Sequence, residues 1–498
     1  MSRLLTSVVS MVALSVALSV TGCLLGPDYQ APEVKAPEQF RTQLEAKPLA
    51  DPRSLADLPW WEIFKDEQLQ ALIKIAMEEN KDLQLAAVRV DEARAELGIT
   101  KSQFLPTVSA GANASLVDIP GANVPGIPAG SSLRTPLYMT ELSMTWELDI
   151  WGRLRRATEA ARAQLMASDE VRKAVVMGLI SRVAQAYFEL RGLDLELEIS
   201  KRTLASREAS LKLVKMRHEG GVSSALDLRK AEAEAVSTAS SIPDLERQIA
   251  QKENALSILL GRNPGAVPRG LAVTQQPLPP TVPSGLPSAL LERRPDLREA
   301  EQALVAANAQ IGMAKAAFFP QVTLTGQFGY LSRDLSNLFV GPNRMWGFGP
   351  GVTLPIFNAG RNMAQLEGAE AKQKEALIKY QQAIQEAFRE VDDALVAYQK
   401  VRETRLYQEQ LIDAAKKALE LAELRYKNGV SSYLDVLDAQ RQLFNAEIGL
   451  AQTRRGQLVA VVQVYKALGG GWSETQPAKS TEPAVPATAP ASGQPAGS

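Results

Sequence analysis

The sequence predicts a mainly α-helical chain that carries four membrane-type β-strands and is written as a tandem duplication. Three observations predict it. Long proline-free stretches carry a helical apolar period, four segments alternate apolar and polar residues, and the two halves of the chain repeat each other. Composition then bounds the chemistry. The 498 residues include 55 Lys+Arg and 56 Asp+Glu, a formal net charge of −1, so no global basic field argues for nucleic acid. One histidine, His218, excludes a multi-His metal site. One cysteine, Cys23, excludes intrachain disulfides, Cys-rich zinc sites and iron–sulfur clusters.

Residues 1–22 read as an address. Arg3 supplies a positive start, an apolar run follows to Val20, and the stretch ends at Thr21-Gly22-Cys23. It is short and is followed by Gly26-Pro27-Asp28, which favours a signal peptide over a membrane span. Small residues before the sole cysteine resemble a bacterial lipoprotein cleavage site. That resemblance implies an S-diacylglycerol group and an N-acyl group on Cys23. Each buried CH₂ contributes about 0.8 kcal/mol, so one chain binds marginally and two or more anchor stably. Leu24, in place of Asp after the cysteine, implies the outer membrane. Residues 23–65 are expected to be an acylated, extended N-terminal segment.

The repeat sets the domain plan. Arg217-His218-Glu219-Gly220-Gly221-Val222-Ser223-Ser224 aligns with Arg425-Tyr426-Lys427-Asn428-Gly429-Val430-Ser431-Ser432, an offset of 208 that also carries Leu260-Gly261 onto Leu468-Gly469. Leu97-Gly98, Phe104 and Pro106 match Ile311-Gly312, Phe318 and Pro320, and Gly152-Arg153 matches Gly360-Arg361. The first repeat spans 66–261, with a helix, a β-hairpin at 104–149 and a long helical hairpin at 152–261. A Pro-rich linker, 262–287, leads to the second repeat, 288–471, with a β-hairpin at 320–357 and a helical hairpin at 360–469. The tail, 472–498, is rich in Pro, Ala, Ser and Thr and is expected to be disordered.

The first helical stretches are expected at 66–103 and 287–317. No proline interrupts 137–242 or 356–476, and interior proline costs a helix roughly 3 kcal/mol. Helices from Gly152 to Arg217 and from Gly360 to Lys427 would each run ~100 Å at 1.5 Å per residue. Leu377, Tyr380, Ile384, Ala387, Val391, Leu395 and Tyr398 step by three and four, a coiled-coil seam. The alternating segments centre on 107–116, 138–149, 321–330 and 346–356. Each is about ten residues, the length a tilted strand needs to cross a bilayer with an apolar outside and a polar inside. Tyr138, Trp146, Tyr330 and Trp346 fit interface girdles. Two half-buried hairpins in a soluble sandwich would also alternate, but such a sandwich has no use for 100 Å helices at this scale. Four strands cannot close a barrel, and lipid tolerates no open edge, so the spanning unit must be an oligomer.

Together these residues resemble the outer membrane factor (TolC-like) family, closest to its NodT-type efflux lipoproteins. The resemblance covers Cys23 to Trp472. It rests on Gly26-Pro27-Asp28-Tyr29, Trp60-Trp61, Leu148-Asp149-Ile150-Trp151-Gly152-Arg153, Arg293-Arg294-Pro295-Asp296-Leu297, Phe318-Phe319-Pro320, Val436-Leu437-Asp438-Ala439-Gln440-Arg441 and Lys466-Ala467-Leu468-Gly469-Gly470-Gly471-Trp472. It implies a homotrimer whose helical hairpins form an α-barrel tunnel through the periplasm below a 12-strand transmembrane β-barrel. It further implies docking on a periplasmic adaptor (membrane fusion protein) and an inner-membrane RND pump, and passive export of small toxic compounds. No cofactor, metal or catalytic role is implied.

A duct left open would breach the permeability barrier, so the periplasmic tip should constrict. The family's constriction carboxylates match Asp435 and Asp438, which can face one side of a helix at i and i+3. Three-fold rings of like charge select cations and need compensation to stay closed. Asp227 stands opposite Asp435 in the first copy, and Lys230 stands opposite Asp438 as a possible positive partner. The plainer alternative is that Asp227, Asp435 and Asp438 are N-terminal helix charges favoured by the dipole. Tyr426 matches a tyrosine that helps lock the closed tip. The basic residue of the founding members is replaced by Ser431, with Arg441 a candidate substitute. Gly220, Gly221, Val222, Gly429, Val430 and Ser431 form the adaptor-docking turns, and His218 reads as an exposed turn residue. Rival readings are an enzyme using Asp435 and Asp438 as acid and base, a periplasmic adaptor or structural lipoprotein, and a type I protein-secretion duct. The first lacks any pocket motif, and an adaptor would carry one hairpin, not two.

Overall fold

Each long helix opens at a glycine in the left-handed region, Gly152 (φ 77°) and Gly360 (φ 83°), where a side chain would be strained. The computed structural model describes residues 24–33, 37, 40, 41, 55–120, 128, 130, 132–277 and 289–472. Cys23, the expected signal peptide before it and the tail after Trp472 lie outside them. In chain order the elements longer than five residues are α1 (Glu67–Glu79), α2 (Lys81–Ser102), β1 (Thr107–Pro120), β2 (Ser132–Leu148), α3 (Arg153–Glu219), α4 (Ala225–Leu259), α5 (Pro295–Ala316), β3 (Gln321–Ser332), β4 (Arg344–Thr353), α6 (Arg361–Lys427) and α7 (Tyr433–Ala467); a one-turn helix, Trp60–Ile63, lies within the segment expected to be extended. No helix among the described residues is long and apolar enough to cross a membrane.

The expected helix at 66–103 is two helices. Asn80 breaks it with an extended backbone (φ −62°, ψ 131°), and its Oδ1 caps α2 by accepting from Leu83 N at 3.0 Å. The same side chain donates to Leu259 O at 2.8 Å, so α2 stacks end to end on α4. The second copy repeats the joint, where Arg294 donates to Ala467 O at 3.2 Å and α5 continues α7. The four helical columns therefore run α4–α2, α3, α7–α5, α6, each packed on the next. Two columns are single helices of 67 residues. The largest core cluster sits beside the joints, where Leu69, Ile73, Leu179, Tyr187, Leu395 and Tyr465 are buried. Asp66 holds it: 1% exposed, its Oδ2 accepts from Tyr187 OH (2.9 Å), Leu271 N (2.9 Å) and Gln276 Nε2 (2.6 Å). Pro243, just past the proline-free stretch, lies inside α4, and the helix runs through it to Leu259.

At the far end from the hairpin turns lies one antiparallel sheet of order β1-β2-β3-β4. Its rows explain the alternation. Ala110, Leu142, Phe328 and Trp346 pair across all four strands on one face, while Thr107, Thr145, Thr325 and Gly349 pair on the other. The apolar face is largely open among the described residues: Leu142 is 50% exposed, Trp346 74% and Val352 67%. No second sheet covers it among the described residues, which removes the soluble sandwich. Three strands exceed the expected ten residues, β3 at 12 and β1 and β2 at 14 and 17, the last two because the β1–β2 ladder continues to Pro120↔Ser132 and is tied by Arg134–Asp118 at 3.3 Å. β4 instead stops at Thr353, short of the Leu354 and Ile356 assigned to it, since Pro355 has no N–H for a ladder.

Candidate functional site at the hairpin tips

Both helical hairpins turn on one pattern. Val222 N donates to Arg217 O (2.8 Å) and Val430 N to Arg425 O (2.9 Å), with Gly221 (φ 70°) and Gly429 (φ 73°) in the left-handed position. Gly220 has a negative φ of −79° like its counterpart Asn428 at −84°, so its turn does not need glycine. Val222 and Val430 project into solvent at 70% and 67% exposure. Ser431 is half-buried, and its Oγ has no partner among the described residues. His218, expected exposed, is half-buried, with Nδ1 2.9 Å from Ser223 O.

The two copies diverge one step later. Ser224 closes a capping box: its Oγ accepts from Asp227 N at 3.1 Å, and the Asp227 carboxylate accepts from Ser224 N at 3.3 Å and Ser224 Oγ at 2.8 Å. Ser432 makes no side-chain cap, and Asp435 stands exposed. Asp438 is half-buried, paired with Arg441 at 2.6 Å and accepting from Gln442 Nε2 at 2.6 Å. Asp435 and Asp438 line one open groove of about 480 Å³, floored by Ala418, Ala422 and Ala439. Lys230 is half-buried and forms no ion pair with either carboxylate among the described residues.

An aromatic group joins the two hairpins. Tyr426 packs against Tyr433 in a tilted pair, 5.3 Å between ring centres, and lies under the Arg217 guanidinium at 4.6 Å. Tyr433 is buried with Val214, Ala231, Val436 and Leu437, and burial pushes its phenol up to about 12. Sequence reasoning passed over Tyr433 and Arg217. One signal was present: Tyr433 occupies the position that Ala225 has in the first copy, a large ring added at one tip only.

A second feature lies at the strand–helix junction. Leu25 N donates to Trp151 O at 3.3 Å, and the buried Arg156 donates to Leu25 O (3.0 Å), Gly26 O (3.2 Å) and Asp28 (2.8 Å). Gly26, at φ 92°, lies so close to Gly312 that a Cβ would sit 2.5 Å from its Cα. Asp149, in the Leu148-to-Arg153 motif, caps α3 by accepting from Leu154 N (2.9 Å) and Arg155 N (3.0 Å). Trp151 donates to Pro320 O at 2.8 Å, tying the two strand–helix junctions together.

Comparison with known proteins agrees with this architecture. The model of the outer membrane efflux protein family matches residues 72–262 and again 286–470. The cation efflux system protein CusC of Escherichia coli O6:H1 is 38% identical over 461 residues, covering 92% of this chain and 98% of that protein. The antibiotic efflux pump outer membrane protein ArpC of Pseudomonas putida is 38% identical over 473 residues, covering 93% and 96%. The open-state crystal structure of the Neisseria gonorrhoeae MtrE outer membrane channel superposes with a TM-score of 0.80 at 35% identity, covering 90% of this chain and 99% of that one.

Proposed function

The chain belongs to the outer membrane efflux protein family, and from that premise we propose that it is the outer-membrane channel of a tripartite efflux system. It acts as a passive exit duct for drugs or other small toxic compounds, gated at the hairpin tips. One observation carries the reading. Among the described residues the single-layer sheet exposes an apolar face and leaves β1 and β4 unpaired on one side each. The helical columns leave α4–α2 and α6 unpartnered at the same two margins. An open strip of this kind is stable in lipid only when copies close it, margin to margin. Two copies would give a narrow eight-strand interior that side chains fill; three give twelve strands and a lumen.

The odd-numbered row of Thr and Gly residues then lines water, and the Leu142–Phe328–Trp346 row meets hydrocarbon. The exposed turns at Val222 and Val430 are the surfaces on which a periplasmic adaptor docks, which links the duct to an RND pump in the inner membrane. Leu24 packs against Gly152 where β2 passes into α3. Acyl chains on Cys23 would therefore enter the leaflet at the periplasmic ends of the strands. The relatives' names specify cations in one case and antibiotics in another. The exported compound is accordingly assigned by the pump, not by the duct.

The test is reconstitution. Purified protein should migrate as a heat-modifiable trimer, conduct ions in planar bilayers, and when deleted from its host raise susceptibility to drugs, solvents or metals. A monodisperse monomer that stays soluble without detergent would overturn the reading.

A further inference from the structure

The seam between α3 and α7 is a ladder in one antiparallel register. Glu196 pairs with Arg455 at 3.0 Å, Arg202 with Glu447 at 2.7 Å, the Arg207 guanidinium covers the Phe444 ring at 5.4 Å, and Gln440 donates to Ser210 at 3.4 Å. Beyond Ser210 the seam becomes the apolar cluster of Val214, Tyr433 and Leu437. Ion pairs fix the register on the membrane side. Apolar contact is non-directional and can re-pack on the tip side.

Two polar atoms at that boundary have no partner among the described residues: Arg207 Nε and Gln440 Oε1. Their residues are 6% and 8% exposed. Each group also makes one polar contact set of its own. Arg207 Nη1 holds Glu234 (2.9 Å) and Thr238, and the Gln440 amide reaches Ser210. One orphan is a donor and the other an acceptor, on facing helices. Gln440's present partner lies three residues, about one turn, from Arg207. Buried unpaired polar atoms are rare in native folds, and each calls for a reason. A complementary pair held apart across a seam that is rigid on one side and re-packable on the other supplies one.

We propose that Arg207 and Gln440 hydrogen-bond to each other in a second position of α7 on α3, and that this pair sets the balance between two arrangements of the hairpin tips. Packed interfaces are bistable, not continuously deformable, so a shift of part of a turn is a discrete state. Arg207 and Gln440 are positioning residues: they act on the tip carboxylates only by moving the helix that carries Asp435 and Asp438. The inference rests on the channel reading.

Single-channel recording of the full-length trimer in planar bilayers tests it. Arg207→Lys keeps the cation facing Glu234 but lacks the Nε donor, and Gln440→Met keeps the shape but lacks both the acceptor and the amide that reaches Ser210 at 3.4 Å. Each should change the ratio of open to closed dwell times about tenfold, the scale of one hydrogen bond. Both should shift it in the same direction, since the 3.4 Å contact to Ser210 is the weaker bond, and the double variant should match Gln440→Met, because without the acceptor the change at Arg207 removes nothing further. An unchanged ratio, or single effects that multiply in the double variant, would overturn the pair while leaving the channel intact. A wild-type protein that conducts nothing would defeat the channel reading itself. Should Arg207→Lys fail to assemble, Gln440→Met alone decides, since losing either partner must move the equilibrium.

Discussion

Ser224 and Ser432 occupy the same place in the two copies, three residues before Asp227 and Asp435, yet only the first closes a capping box. Asp227 is thereby committed to its own helix, and Asp227→Ala should cost α4 about 0.5–2 kcal/mol, read as a lower melting midpoint. Asp435 is free of such a cap and faces the groove it shares with Asp438. Replacing both Asp435 and Asp438 with Ala should raise single-channel conductance and weaken cation preference; unchanged values would remove them from the gate. Gly221→Ala places a side chain at φ 70° and should destabilise the turn by about 1–2 kcal/mol, whereas Gly220→Ala should be close to neutral. Protease nicking at the tip compares the two. Tyr433 supplies a pH test. Its phenol ionises near pH 10 when unfolded and near 12 when folded, so the unfolded chain releases its proton first. The stability it contributes is complete below pH 10 and is lost as pH rises towards 12. Tyr433→Phe should flatten that alkaline loss in a melting-temperature profile.

Helices and strands were legible where one physical rule acted locally. Absence of proline and a three-four apolar step marked α3 and α6, and strict alternation marked all four strands. Their limits were not local. Asn80 looks like any helix residue until Leu259, far along the chain, supplies the carbonyl its amide needs. The stacking of α2 on α4 was therefore invisible in the sequence, as was the seam of α3 on α7. The tip carboxylates stood out through the repeat and the family motif. Tyr433, Arg207 and Gln440 did not, because their significance comes from a helix in the other copy. Asn80→Ala removes the α2 cap and the bridge to α4 together and should cost about 1–3 kcal/mol. Hydrogen exchange should localise that loss to residues near 80 and 259, leaving the tips unchanged.

The whole molecule is a strip with two raw margins, and its parts fail in different ways. The apolar sheet face exists whether or not a lipid is attached, so Cys23→Ala protein, once exported, should still require detergent and still form trimers. Sedimentation with and without detergent checks this. Within the sheet, every even-numbered residue of the Ala110–Leu142–Phe328–Trp346 and Val108–Met144–Gly326–Phe348 rows lies on one side, in both copies. That shared parity restricts how such a gene can drift. Adding or losing one codon inside a strand would invert the facing of all that follows, exchanging oily and wet sides at a stroke. Paired insertions, or changes confined to the hairpin loops, leave the facing intact. Length variation among descendants of this chain should thus accumulate in even steps within strands and freely between them.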